Sequence, residues 1–229
     1  MSGEKPDKHL INYLAGYVTD NKKARMEEVL AQRTRYFTLV LEDIYKPHNA
    51  SAVIRTCDCF GVQDIHIIEK STSYKINPYV TRGAAQWVKI HKYEERVDSN
   101  AVDNCFGQLR DQGYRIYATS PFQGSISLDD LEPDSKTALV FGNEHAGVSE
   151  EVIEKSDGLV NIPMTGFTES FNISVSASIF LYDLQQKIRK HIPNDYFLSE
   201  EEKEELRLEW YKGVVKNVDI HLRNFYKEV

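Results

Sequence analysis

Three stretches of the chain gather side chains and backbone that could do chemistry. Gly142-Asn-Glu-His-Ala-Gly147 is a loop with a glycine at each end, between an apolar run, Ala138–Phe141, and Ser149-Glu150-Glu151. The run has the length and β-richness of a buried strand, and the acids suit a helix N-terminus. A second apolar run, Leu159–Ile162, stops at Pro163, and a loop through Gly166 leads to Ser170-x-Asn172. The third stretch, Tyr45 to Gly61, holds Asn49 and Arg55. Neighbouring strand ends rich in Gly, Pro, Ser and Asn are where an open α/β sheet builds a ligand site. Residues 142–149 come close to the phosphate-binding pattern GxxxxGK[ST], but Val148 stands where the lysine must be. Without that charge a phosphate cradle is disfavoured. The alternative is a βα turn that needs its glycines for geometry.

The elements that must position these stretches follow from spacing. Ile173, Ala177, Phe180, Leu184 and Ile188 form one apolar helical stripe. Lys187, Arg189, Lys190 and His191 complement that helix's C-terminal dipole, and Pro193 ends it. Asn49 is placed to cap a helix and Gly61 to end it, with Val53, Cys57 and Phe60 inward. Arg55, about 200° on from Val53, then faces away from the core, where solvation is the ordinary fate of an arginine. Strands are expected at 37–41, 62–68, 87–91 and 114–118, and a helix over 98–112 with Val102, Phe106 and Leu109 inward. Strands alternating with helices imply an α/β fold with a mainly parallel sheet covered on both faces.

Helical extensions flank this domain. Residues 8–18 predict a short helix, and Asp20 can cap a second one through about Tyr36. The basic face of the second helix, Lys22, Lys23, Arg25, Arg33 and Arg35, serves either solubility or an RNA contact. Near the other end, Ser199–Glu202 reads as a capping box. It starts a last helix with Leu206, Trp210, Val214, Val218, Leu222 and Phe225 along one side.

Composition narrows the function class less than the motifs do. With 41% hydrophobic and 11% aromatic residues, the 229-residue chain can pack a sizeable core. No apolar run approaches the ~20 residues of a membrane span, and no signal-peptide core opens the chain, so the cytosol is the expected compartment. Cys57, Cys59 and Cys105 lack metal-site spacing and read as reduced thiols, so no metal is expected. The net charge is −7, with +2 in residues 1–37 and −3 in residues 192–229. Any RNA contact must therefore use local basic patches.

GNEHAGVSEE followed by NIPMTGFTESFNISVSAS resembles motifs two and three of the SPOUT RNA methyltransferases, specifically the TrmH/SpoU branch that methylates ribose 2′-hydroxyls. NASAVIRTCDCFG is similar to motif one of the same family, with its asparagine at Asn49 and its arginine at Arg55. The resemblance implies a parallel sheet with a C-terminal trefoil knot over residues 37–191, flanked by helical extensions at 1–36, with an RNA contact, and at 192–229. It implies S-adenosylmethionine held largely by backbone, in loops from Thr119 onward, Gly142 to Gly147 and Ile162 to Phe171. In this reading Gly142 leaves room for the backbone to approach the cofactor. Thr119, Gly142, Glu144, Ile162, Met164, Phe171 and Asn172 become the candidate cofactor residues. Arg55, Asn49 and Ser170 become the catalytic ones, with Arg55 activating the 2′-hydroxyl or stabilising its oxyanion. A homodimer is also implied, for which Phe180, Leu184 and the 206–225 stripe offer apolar surface. Helical extensions at both ends of a minimal domain resemble the enzymes that methylate a guanosine ribose in the tRNA D-loop. Ribosomal RNA is the alternative substrate, and a non-catalytic RNA-binding module is the reading from another class.

Overall fold

The chain divides into two units, residues 1–33 with 197–229, and residues 34–196. The computed structural model describes residues 7–71, 73, 77–81, 83–121, 124–192 and 196–228. From the N-terminus, α1 (Lys8–Ala15) and α2 (Asp20–Leu30) precede β1 (Phe37–Glu42), α3 (Pro47–Cys59) and β2 (Asp64–Glu69). Next come α4 (Pro78–Thr81), β3 (Lys89–Glu94), α5 (Ala101–Asp111), β4 (Arg115–Thr119) and β5 (Ile126–Ser127). β6 (Thr137–Phe141), α6 (Glu150–Lys155), β7 (Gly158–Asn161) and α7 (Ile173–His191) complete the larger unit. α8 (Glu200–Val214) and α9 (Val218–Glu228) close the chain.

The larger unit is built on a seven-stranded sheet in the order β3-β2-β1-β6-β4-β7-β5, parallel at every pairing. β1, β2 and β6 are buried along their whole length, as expected of central strands covered on both faces. The chain runs from β1 to β2 to β3 in one direction, while β6 lies on the other side of β1. Strand order reverses there, and the crevice beyond the carboxyl ends of β1 and β6 is the place for a ligand. After β6 the chain passes over β4 to form β7. On one face, Val102, Cys105, Phe106 and Leu109 of α5 pack with Ile68, Ile116, Ala118 and Val140. Full burial of a side chain such as Phe106 contributes roughly 1.5–3 kcal/mol. α7 packs against α3, and its predicted stripe of Ile173, Ala177, Phe180, Leu184 and Ile188 is entirely buried.

Several local expectations are corrected. α2 takes Thr19 as its N-cap, with Asp20 as its first residue, and it stops at Leu30. Beyond it Thr34 pairs with Val62 in a parallel bridge, so the chain is already extended before Tyr36. Trp87 closes a 3-10 turn over Ala84–Gln86, and β3 starts only at Lys89. Pro193 lies outside the described residues. The capping box at Ser199 is present, but the last helix is two, separated at Asn217, whose φ of +52° breaks the helix.

In the helical unit α8 packs on α1 and α2, and α9 on α1. Leu206, Trp210 and Phe225 are buried there, and Phe180 and Leu184 are buried in the larger unit. These residues are satisfied within the chain, so they offer no surface to a second subunit. No helix of the described residues is long and apolar enough to cross a membrane.

Candidate active site

The site is assembled on Asn49. Pro47 occupies the first turn of α3 and Lys46 is the N-cap, so Asn49 lies inside the helix and does not cap it. Its amide is free to reach sideways. Nδ2 donates to Glu144 Oε1 at 2.6 Å, and Oδ1 accepts from Asn172 Nδ2 at 3.3 Å. One buried amide thus joins residues from all three sequence motifs. Asn172 is itself the N-cap of α7, where Oδ1 accepts from Ser174 N at 2.9 Å and Ser174 Oγ at 2.7 Å. The second carboxylate oxygen of Glu144, Oε2, is buried without a hydrogen-bond partner.

The loop that carries Glu144 is closed on itself. Asn143 N donates to Gly147 O at 2.9 Å, and Gly147 N returns to Asn143 O at 2.8 Å. Asn143 Oδ1 accepts from His145 N at 2.9 Å, and Nδ2 donates to Asp43 O at 2.9 Å. A Cβ on Gly142 would stand 2.1 Å from the Gly147 carbonyl carbon and oxygen. The loop's own closure therefore requires glycine at position 142. Glu42, at the end of β1, anchors the start of α6 by accepting from Ser149 N at 2.8 Å and Ser149 Oγ at 2.6 Å. Lys70 bridges Glu42 at 3.0 Å and Glu151 at 2.8 Å. Hydrogen bonds from Lys155 and Lys70 hold the Glu151 carboxyl down to about 2.

Arg55 projects outward from α3 into an open groove of about 910 Å³, lined also by His48, Cys59, Tyr79, Val175 and Tyr182. It makes no ion pair or hydrogen bond among the described residues. Ser174, which bonds Asn172, lines the same groove. Ser170 is exposed, as are Met164 and Phe171, while Ile162 is half-buried. Residues 163–171 make no backbone–backbone hydrogen bond among the described residues, which leaves their amides and carbonyls open to a partner. Thr119 spends its hydroxyl on Val140 O at 2.9 Å, fixing the end of β4 to β6.

The structure therefore brings Asn49, Glu144 and Asn172 into direct contact and sets Arg55 in the neighbouring groove. It shows no bond from these to Ser170, Thr119, Ile162, Met164 or Phe171. Sequence reasoning missed His48, although His48, Ala52, Arg55 and Cys59 recur at helical spacing. It also missed Asn143 and Asp43, whose φ of +49° marks a turn that Asp tolerates better than most residues. No His/Cys/Asp/Glu cluster suited to a metal occurs among the described residues.

Residues 36–182 match the SpoU rRNA Methylase family. A tRNA (guanosine(18)-2′-O)-methyltransferase of Borreliella burgdorferi is 46% identical over 207 residues, 90% of this chain and 92% of that protein. The enzyme of the same name from Thermus thermophilus is 32% identical, over 74% of this chain and 84% of its own. Among solved structures, the Aquifex aeolicus TrmH/SpoU tRNA modifying enzyme superposes with a TM-score of 0.75 at 32% identity, covering 86% of this chain and 98% of that one.

Proposed function

The chain belongs to the SpoU rRNA methylase family, and from that premise we propose that it methylates the 2′-hydroxyl of guanosine 18 in the D-loop of tRNA. It is an S-adenosylmethionine-dependent RNA methyltransferase. The observation that carries the assignment is the junction of Asn49, Glu144 and Asn172 beside a groove holding Arg55, which has no ion-pair or hydrogen-bond partner among the described residues.

The residues present fit the cofactor. The partnerless Glu144 Oε2 is an acceptor for an amino or hydroxyl group, and the open backbone of 163–171 offers both donors and acceptors. Gly142–Gly147, Ile162–Asn172 and the segment from Thr119 would hold it, with Met164 and Phe171 as apolar walls. When bound, S-adenosylmethionine would supply an electrophilic methyl group on a sulfonium, whose leaving group, the neutral thioether of S-adenosylhomocysteine, needs no metal assistance. Arg55 stabilises the oxyanion that develops on the ribose. A guanidinium with a pKa above ~12 is a poor proton acceptor, so water or a substrate phosphate takes the proton. Asn49 and Ser170 position the ribose and Arg55, while Glu144 and Asn172 order the two loops. Alignment of acceptor and donor, maintained by these loops, is the main source of rate.

The passage of the chain over β4 between β6 and β7, followed by the return of α7 onto α3, is the route a trefoil knot would take. That reading takes residues 37–191 as the knotted methyltransferase domain between helical extensions. Exposed Tyr79, Val175 and Tyr182 around the groove suit burial in a homodimer, in place of the residues the sequence suggested. Light scattering tests this, and a fully active monomer would contradict it. The free cysteines agree with a reducing, cytoplasmic compartment.

The test of the function is transfer of labelled methyl to a tRNA transcript. Transfer should map to guanosine 18 and vanish when that nucleotide is 2′-deoxy. Transfer to ribosomal RNA in place of tRNA would redirect the assignment.

A further inference from the structure

The acidic C-terminal extension hides a basic element. Residues 196–211 carry two basic and six acidic side chains, whereas residues 212–228 carry four basic against two acidic. Three of the six acids of α8 are engaged within the helical unit: Glu202 in the capping box, Glu200 with Lys203 at 2.7 Å, and Glu204 with Lys8 at 2.9 Å. Lys212, Lys216, Arg223 and Lys227 are exposed and have no ion-pair partner among the described residues. Ile220, Arg223, Asn224 and Lys227 recur at steps of three and four, so α9 presents one outward stripe. Ile220 is 56% exposed on it, and the Tyr226 ring beside it is 64% exposed.

The N-terminal helices are the opposite case. Lys8 pairs with Glu204, Lys23 with Asp20 at 2.8 Å, and Arg25 with Glu28 at 2.9 Å, while Arg33 is buried over the Trp210 ring. Lys22 is left as the unpaired cation of these helices among the described residues. Polyanion binding draws on cations that are not already neutralised, because each phosphate contact gains by releasing a condensed counterion.

We infer that the outward face of α9 with Lys216 is a phosphate-contacting surface for the RNA substrate, and that the N-terminal helices serve chiefly to carry it. The inference rests on the proposed tRNA specificity and deepens it. It also explains how a chain of net charge −7 holds a polyanion: through one segregated patch.

Equilibrium binding of the full-length protein to a tRNA transcript, across a range of salt, tests the inference without requiring turnover. The variant Lys216→Ala/Arg223→Ala/Lys227→Ala should bind tRNA at least about tenfold more weakly near physiological salt. Its plot of log affinity against log salt should be shallower by about two to three units. Affinity for S-adenosylhomocysteine, thermal midpoint and mass by light scattering should stay those of the wild type. Lys216→Arg/Arg223→Lys/Lys227→Arg should restore affinity and slope, because the contacts are to charge. An unchanged slope in the alanine variant would overturn the inference, as would a change of assembly state, which would make the face a contact between copies. Salt-dependent tRNA binding through α9 without methyl transfer would instead count against the proposed reaction and leave this surface standing.

Discussion

Two polar networks in the same unit are built to opposite ends. At the β2–β3 edge, Asp64 accepts from Arg35 Nε at 2.6 Å and meets His91 Nε2 at 2.7 Å. His91 stacks on His66 with centroids 4.7 Å apart, His66 Nδ1 meets the Tyr93 hydroxyl at 2.8 Å, and Tyr93 donates to Gln108 at 2.9 Å. This chain of contacts is closed, ties the edge strand to its neighbours, and is largely buried. The Asn49–Glu144–Asn172 network at the carboxyl ends of the strands is left open, with one carboxylate oxygen unpartnered and residues 163–171, next in sequence to Asn172, without a backbone–backbone hydrogen bond among the described residues. A missing partner alone does not make a site, since Gln63 Oε1 is also buried without one. What distinguishes Glu144 is that the open acceptor sits at the topological switch point of the sheet, next to a groove whose arginine has no partner among the described residues.

The difference between a closed and an open network can be measured. The largest effect is expected for Gly142→Ala. Its Cβ would overlap backbone, so the loop must rearrange at a cost of about 1–3 kcal/mol or more. Calorimetry should show S-adenosylhomocysteine affinity falling below detection while the global fold persists. Glu144→Ala removes the charged partner of Asn49, which should cost roughly 1.5–3 kcal/mol in cofactor affinity or transfer. A thermal midpoint close to wild type would mark the open network as functional, and a large drop in midpoint with unchanged kinetics would mark it as structural.

The closed network should answer to pH. Burial, with His91 beside it, pushes His66 from 6.5 down to about 3. The unfolded chain therefore takes up this proton first as pH falls, and stability present above about 6.5 is lost progressively toward pH 3. Urea unfolding should lose roughly 2 kcal/mol between neutral pH and pH 5 from this group. In His66→Gln that slope should flatten; an identical slope would place the acid sensitivity elsewhere. The smallest effect belongs to Ser199→Ala, which removes the cap of α8 in the other unit. About 1 kcal/mol of stability should go, with methyl transfer untouched.

Much of this arrangement is legible in the chain. The stripe on α7, the cap at Ser149 and the buried strands follow from periodicity, because one face or both faces of each must be apolar. The residues at the junction were visible only through motif resemblance, since an asparagine in the first turn of a helix reads as a cap. Pro47 displaced it, and that displacement is what frees the Asn49 side chain. The split of the last helix at Asn217 was not legible either, because Val214 and Val218 keep the apolar spacing across the break. Charge totals misled most. The sum over residues 192–229 is acidic, yet acids predominate up to Tyr211 and basic residues beyond it, a division that the total conceals.

The most direct test of the central claim is single-turnover methyl transfer to tRNA by the wild type, Arg55→Lys and Arg55→Ala, with S-adenosylhomocysteine affinity as control. If Arg55 stabilises the developing oxyanion, Ala should cost about 2.7–4 kcal/mol in the transfer step. Lys should retain measurable turnover, because it keeps the charge and loses only the planar fork of donors. Cofactor affinity should be unchanged in both. Full transfer by Arg55→Ala would remove the groove from the chemistry and leave the junction at Asn49 as architecture alone.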